Sequence, residues 1–386
     1  MRILLTANGS PWTRNKGGGT LAVHHLAIAL TKRGHDVTVL YGRRPGDPFE
    51  PELPYSVEWA HFYEVATVNL NIFSFRKKLK RMLKTGRFDL VHGNAEEAFF
   101  APGLCRKAGI PFCYTSHANF LPSEHFFEGM LQPIQFLKSV NTYLERETAQ
   151  GADLIFTFSD FSKNLVINAL GFSRLDKVHV VYPGVSDDWF EVKRKEDKKK
   201  QLVFWGRMAD QKGIPELLEA FKYVRQENKE FNLLLIGGGP CQPQYEQLAE
   251  ELKVRENVSF VGWKDGKAIR DIAAESLLGV FPSRIESFGL AIAEAMATGL
   301  PVVATRVGAL HEFIEDETTG LLVESGNIKE LSQKLLSAIN SQAKMEALGN
   351  TAKDSIRKKC CWDKAAKAIE IEYKQIVLSC NEKRAE

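Results

Sequence analysis

Two doubly wound α/β units are predicted from three features of the 386-residue sequence. Short apolar runs alternate with helix-period segments, the alternation restarts near residue 201, and glycines cluster where strands give way to helices. Strands alternating with helices imply parallel sheets covered on both faces.

The first unit opens with RILLTA (2–7), an apolar strand, and a loop ending in Lys16, Gly17, Gly18 and Gly19. From Thr20 to Arg33, Leu21, Val23, Leu26, Ala27 and Leu30 keep helical spacing, Gly34 stops the helix, and DVTVLYG begins the next strand. Strands are expected at FDLVHG (88–93), FCYTSH (112–117), LIFTFS (154–159) and VHVVYPG (178–184). The run SDDWFEVKRKEDKKK (186–200) is nearly all charged or polar after Phe190 and reads as an exposed hinge. The theme then restarts with the strand QLVFWG (201–206), the helix IPELLEAFKYV (214–224) and the strand FNLLLIGGGP (231–240). A helix at 242–252 and the strands NVSFVGW (257–263) and LLGVFPS (277–283) continue it. The expected domains are therefore 1–185, a hinge at 186–200, and 201–363, with a helix from about 364 to 386 packing back on the first domain. Two such units joined by a hinge leave a cleft between the carboxyl ends of their sheets, where ligands of this architecture bind.

Composition excludes several classes. A 44% hydrophobic and 26% charged chain of net charge +3 is ordinary for a globular protein, too weakly basic to suggest a nucleic-acid partner. No apolar stretch approaches the length of a membrane span, and the apolar run at the N-terminus is too short for a signal peptide. The six cysteines form no C-x-x-C pair and read as reduced thiols of a cytoplasmic protein. Oligomeric state is not legible. FSFRKKLKRMLKTGR (73–87) sets Phe75, Leu79, Met82 and Leu83 on one helical face, with six Lys or Arg in residues 76–84. It is expected either to touch anionic membrane weakly or to pack that face on the first sheet.

Three loops carry chemistry. Gly17, Gly18 and Gly19 sit at a strand-to-helix turn, either to admit a phosphate to the helix N-terminus or simply to turn tightly. In GRMADQKG (206–213), Arg207 and Lys212 follow the first strand of the second unit; two cations there suit a diphosphate, or lie in solvent. In FPSRIESFGLAIAEAMATGLPVVAT (281–305), Ser287 to Leu290 are expected to begin a helix whose free N–H groups favour anions or sugar hydroxyls. Along a continuous helix Glu286 and Glu294 would lie ~12 Å apart. That span suits two ends of an elongated ligand, unless Glu294 merely faces solvent.

In this order the loops resemble the retaining nucleotide-sugar glycosyltransferases of GT-B fold, glycosyltransferase family 4. The resemblance covers nearly the whole chain. It rests on Gly17-Gly18 before a helix ending Arg33-Gly34-His35, Gly206-Arg207 with Lys212-Gly213, ESFGLAIAE (286–294), GLPVVAT (299–305), Gly308 and TTGLLV (318–323). It implies two Rossmann-like domains facing a cleft and a hexose-type sugar moved from a nucleoside-diphosphate sugar to an acceptor the sequence does not identify. Arg207 and Lys212 would hold the diphosphate, Glu294 the ribose, and Glu286 the transferred sugar beside the amides of Phe288, Gly289 and Leu290. Trp263, Lys264 and Asp265 would contact the base. His117, ending FCYTSH, would act near the reacting sugar, unless it is structural. No cofactor or metal is implied, and no Asp is followed by another two residues later, so D-x-D is absent.

Other readings fit less well. An NAD(P)-dependent oxidoreductase wants G-x-G-x-x-G and an acidic residue ending its second strand, which here ends Tyr41-Gly42-Arg43. A short-chain epimerase wants Tyr-x3-Lys, and none of the nine tyrosines has it. A glycogen-phosphorylase-like enzyme would be longer. A non-catalytic nucleotide-sugar binding module stays open. Acceptor specificity is expected from the first domain, where FLPSEHFFEGMLQPIQFL (120–137) is aromatic-rich without a recognisable code.

Overall fold

A computed structural model describes residues 1–13, 18–44, 46–47, 52–62, 70–117, 133–170 and 175–385. The chain divides into two compact units, residues 1–184 with 362–386, and residues 185–361.

The first unit runs β1 (Arg2–Ala7), α1 (Gly18–Lys32), β2 (Asp36–Arg43), β3 (Ser56–His61), α2 (Asn71–Leu83), β4 (Leu90–Gly93), α3 (Ala101–Ala108), β5 (Phe112–Ser116), α4 (Pro133–Gln150), β6 (Leu154–Thr157), α5 (Asp160–Leu170) and β7 (Val178–Val180). Its seven strands are parallel in the order β3-β2-β1-β4-β5-β6-β7. Ile3, Leu4 and Leu5 are wholly buried, as expected of a strand covered on both faces. The edge strand β3 (SVEWAH) has no continuous apolar run and was not predicted; half of its residues are only partly buried and two are exposed.

The second unit runs α6 (Asp187–Phe190), β8 (Lys199–Trp205), α7 (Ile214–Glu227), β9 (Asn232–Ile236), α8 (Gln242–Glu251), β10 (Val258–Phe260), α9 (Gly266–Glu275), β11 (Ser276–Phe281), α10 (Leu290–Ala297), β12 (Val302–Thr305), β13 (Leu321–Val323), α11 (Ile328–Asn340) and α12 (Gln342–Lys359). Its six strands are parallel in the order β10-β9-β8-β11-β12-β13. In each sheet the chain builds outward one way from its first strand and then the other. The reversal opens a crevice at the carboxyl ends of β1 and β4, and another at those of β8 and β11.

The last helix, α13 (Trp362–Ala385), belongs to the first unit. Ala365, Ala366, Ile369 and Tyr373 join the core formed by α1 and one face of the sheet. Fully buried Tyr373 hydrogen-bonds His92 Nδ1, and His92 Nε2 meets Thr115 Oγ1 at 2.7 Å. Burial lowers the pKa of His92 to about 3, so this relay is neutral. Arg33, at the end of α1, donates to Glu370 at 2.6 Å and to Asp363 at 3.0 Å.

Residues 186–200 are largely exposed, as expected, but not throughout. Trp189 and Phe190 are buried, Arg194 donates to the carbonyls of Ala273 and Ser276, and Lys199–Lys200 already belong to β8. Two aromatic rings outweigh the surrounding charge, because burying each is worth ~1.5–3 kcal/mol. Of the two expectations for the apolar face of α2, packing on the sheet holds: Phe75, Leu79 and Met82 lie in the core and Leu83 packs against it, so that face does not meet lipid.

Candidate active site

At the reversal point of the second sheet, the loop after β8 presents Arg207 and Lys212. The loop after β11 presents Glu286 to Gly289. The two loops meet: Lys212 Nζ lies 2.5 Å from Glu286 Oε1, with the side chains 19% and 11% exposed. Ser283 Oγ donates to the same oxygen at 2.9 Å. Arg284, next along, donates to Glu216 and Asp210, both at 2.7 Å, tying the β11 loop to the segment that carries Lys212. Arg207 is exposed, and its guanidinium makes no ion pair or hydrogen bond among the described residues.

The helix expected from Ser287 begins instead at Leu290, with Gly289 as N-cap at φ +92°. That left-handed conformation suits glycine and keeps the preceding residues out of the helix. Phe288 is buried against Phe313, ring centroids 5.1 Å apart, and anchors the turn, while among the described residues the Leu290 and Ala291 amides at the start of α10 keep no intrahelical partner. Gly308, at φ +54°, lets a later turn press on the same loop: a Cβ there would sit 1.8 Å from the Glu286 carbonyl oxygen. Ala309 N donates to that oxygen at 3.2 Å.

Glu294, one turn into α10, does not project freely into solvent. Its Oε2 accepts from Trp205 Nε1 at 3.2 Å, and burial raises its pKa to about 7 despite that hydrogen bond. Trp263 follows β10, half-exposed, with its indole over Gly238 in the turn after β9; a Cβ at 238 would meet Nε1 at 2.9 Å. Lys264 is exposed beside it. The Asp265 carboxylate caps α9, accepting from Ala268 N at 2.8 Å, so its side chain already has a structural role.

In the first unit, His117 follows β5 and stands over the start of α1. A Cβ at Gly19 would come within 3.0 Å of His117 Cε1, so a larger residue there would push the ring back by a few tenths of an ångström. The ring packs edge-on to Phe158 at 5.3 Å, and burial lowers its pKa to about 4, leaving a neutral imidazole. Gly18 opens α1 and is exposed. Gly17 lies outside the described residues, as does most of the 120–137 stretch.

Two families match end to end: Glycosyltransferase Family 4 over residues 16–189 and Glycosyl transferases group 1 over residues 185–355. The chain belongs to the GT-B glycosyltransferases. An uncharacterized glycosyltransferase of Methanocaldococcus jannaschii is 26% identical over 385 residues, covering 92% of this chain and 94% of that protein. Sucrose-phosphate synthase from Thermosynechococcus elongatus superposes with a TM-score of 0.80 at 21% identity, over 98% of this chain and 99% of that one. Anabaena HepE in complex with UDP-glucose gives 0.75 at 20% identity, over 97% and 100%.

In this glycosyltransferase the sequence reading missed Ser283, which shares Glu286 with Lys212, and Trp205, which holds Glu294. An indole as the last residue of a buried strand, directly before Gly206-Arg207, was the available signal for Trp205. Among the described residues, no three His, Cys, Asp or Glu side chains are placed to hold a metal ion, and no helix is long and apolar enough to cross a membrane.

Proposed function

We propose that this glycosyltransferase moves a hexose-type sugar from a nucleoside-diphosphate sugar to its acceptor with retention of configuration and without a metal ion. The observation that carries the reading is the meeting of Lys212 and Glu286 at the sheet's reversal point, beside exposed Arg207 and the open amides of α10. Arg207, Lys212 and those amides are the donors that would neutralise the leaving diphosphate. Glu286 takes a sugar hydroxyl, and Glu294 the ribose. Trp263 offers the base a ring face, with Lys264 and the backbone of Asp265 beside it. The neutral His117 orients a sugar hydroxyl or lends its backbone carbonyl to the developing oxocarbenium, with Gly17, Gly18 and Gly19 opening the adjoining turn. The acceptor attacks from the face the diphosphate leaves, so no enzyme nucleophile is required. HepE was captured with UDP-glucose, which makes a nucleotide sugar the first donor class to test. The test is a donor panel of UDP-, ADP- and GDP-hexoses followed by calorimetry and single-turnover transfer, with the product's anomeric configuration read by NMR. Inversion, or loss of transfer on metal chelation, refutes the corresponding part. Binding without turnover on any acceptor would favour a non-catalytic module.

The protein is also proposed to work in the cytoplasm, touching anionic lipid weakly. With Phe75, Leu79 and Met82 in the core, the surface offered is exposed Phe73 and Leu70 with Arg76, Lys77, Lys80, Arg81 and Lys84. Flotation with anionic but not neutral vesicles is expected; equal recovery with both removes the claim.

A further inference from the structure

Behind Glu294 stands a layered stack with no assigned part in the reaction. The guanidinium of Arg270 lies 5.6 Å from the ring centroid of Trp189, and also pairs with Asp188. Trp189 stacks on Trp205 at 6.1 Å with planes 15° apart. Phe281, at the end of β11, meets Trp205 edge-on at 5.0 Å. The indole is thus fixed on two sides and only 4% exposed. Its single polar atom points at Glu294 Oε2, and among the described residues this is the hydrogen bond that reaches that carboxylate.

We propose that Trp205 is a positioning residue for the nucleotide: its indole N–H holds one oxygen of Glu294 so that the carboxylate is presented, ionised, to the ribose hydroxyls. The proposal rests on the ribose role of Glu294 given above. A buried donor satisfied by one carboxylate oxygen fixes the side chain's rotamer and favours its charged form, the form that accepts two hydroxyl hydrogens. The other groups facing Glu294 pull in opposite directions: Asp188 on α6 disfavours the charge and Arg270 on α9 favours it. The cations of α12, which also packs on α10, are engaged elsewhere: Lys353 donates to the Val192 carbonyl and Arg357 lies over Phe190. Trp205 is therefore the direct hydrogen-bonding partner that counters burial at this carboxylate.

The contact is tested without ligand by following the Trp205 indole N–H in protein labelled with ¹⁵N-tryptophan. The resonance should titrate with a midpoint near pH 7, and Glu294→Gln should abolish that titration. A resonance indifferent to pH, or unchanged by Glu294→Gln, overturns the proposal. Trp205→Phe keeps an aromatic ring and removes the donor, and should move the carboxylate's midpoint up by about one pH unit. Affinity is then measured for the tightest nucleotide sugar of the donor panel, whose diphosphate is a diester and does not titrate near neutrality. Trp205→Phe should weaken binding about threefold at pH 7.5 and about eightfold at pH 6.5, with the gap nearly closed at pH 9. An equal loss at every pH means a merely structural role and refutes the assignment. If Glu294→Gln leaves affinity unchanged while the resonance titrates as expected, the ribose reading fails and the Trp205–Glu294 contact survives it.

Discussion

Replacing Glu286 by Gln tests the junction of the two loops most directly. Lys212 is held by Glu286 at 2.5 Å, with both side chains largely shielded, so a diphosphate must compete for it. Two unit charges ~4 Å apart attract by ~4 kcal/mol at an effective dielectric of ~20, but most of that is offset by desolvation. The net value of a charge-assisted hydrogen bond is ~1.5–3 kcal/mol. Glutamine keeps an oxygen for Lys212 and for Ser283 Oγ, which now donates at 2.9 Å, but turns the ion pair into an ion–dipole hydrogen bond, weaker by ~0.5–2 kcal/mol. Freeing Lys212 then costs ~0.5–2 kcal/mol less, and a nucleoside diphosphate should bind about 2- to 30-fold tighter. The sugar conjugate should not share that gain, because it loses its own contact with the carboxylate, and turnover should fall. Calorimetry with the nucleoside diphosphate and its hexose conjugate, beside single-turnover transfer, gives all three quantities. Equal weakening of both ligands in the folded variant would falsify the division of labour and mark Glu286 as structural.

Arg207→Ala should cost about 1.5–3 kcal/mol of nucleoside-diphosphate affinity with no loss of stability, since its guanidinium supports nothing else among the described residues; calorimetry and thermal melts decide. Gly308→Ala drives a Cβ into the Glu286 carbonyl at a positive φ, so it should destabilise by more than ~1 kcal/mol and weaken donor binding too. An unchanged denaturation midpoint with full affinity would show that the turn yields. Tyr373→Phe leaves buried His92 Nδ1 without its partner and should cost ~1–3 kcal/mol in urea unfolding, with nucleotide affinity untouched in the folded protein.

The parallel sheets were legible because both faces are covered, which writes their strands as apolar runs such as RILLTA and LIFT. Strand β3 was not, since an edge strand alternates and half its face is wet. The glycine turns and the two glutamates were legible as well, for they are local. What escaped were partnerships across sequence: Lys212 with Glu286 is 74 residues apart, and Trp205 with Glu294 is 89. Local charge also hid the burial of Trp189 and Phe190, whose partners Trp205, Arg270 and Arg357 come from β8, α9 and α12 later in the chain.

The return of α13 to the first unit has a consequence for how the protein is made. The second unit is one uninterrupted segment, 185–361, whereas the core of the first waits for Ala365, Ala366, Ile369 and Tyr373. Domains usually mature in the order they leave the ribosome. Here the half synthesised later is the first able to finish, and the earlier half spends that interval with a stripe of α1 and sheet surface uncovered. Shortening the chain within residues 362–373 would extend that interval indefinitely, so such variants should be lost to aggregation or proteolysis in the cell before any effect on sugar transfer is seen.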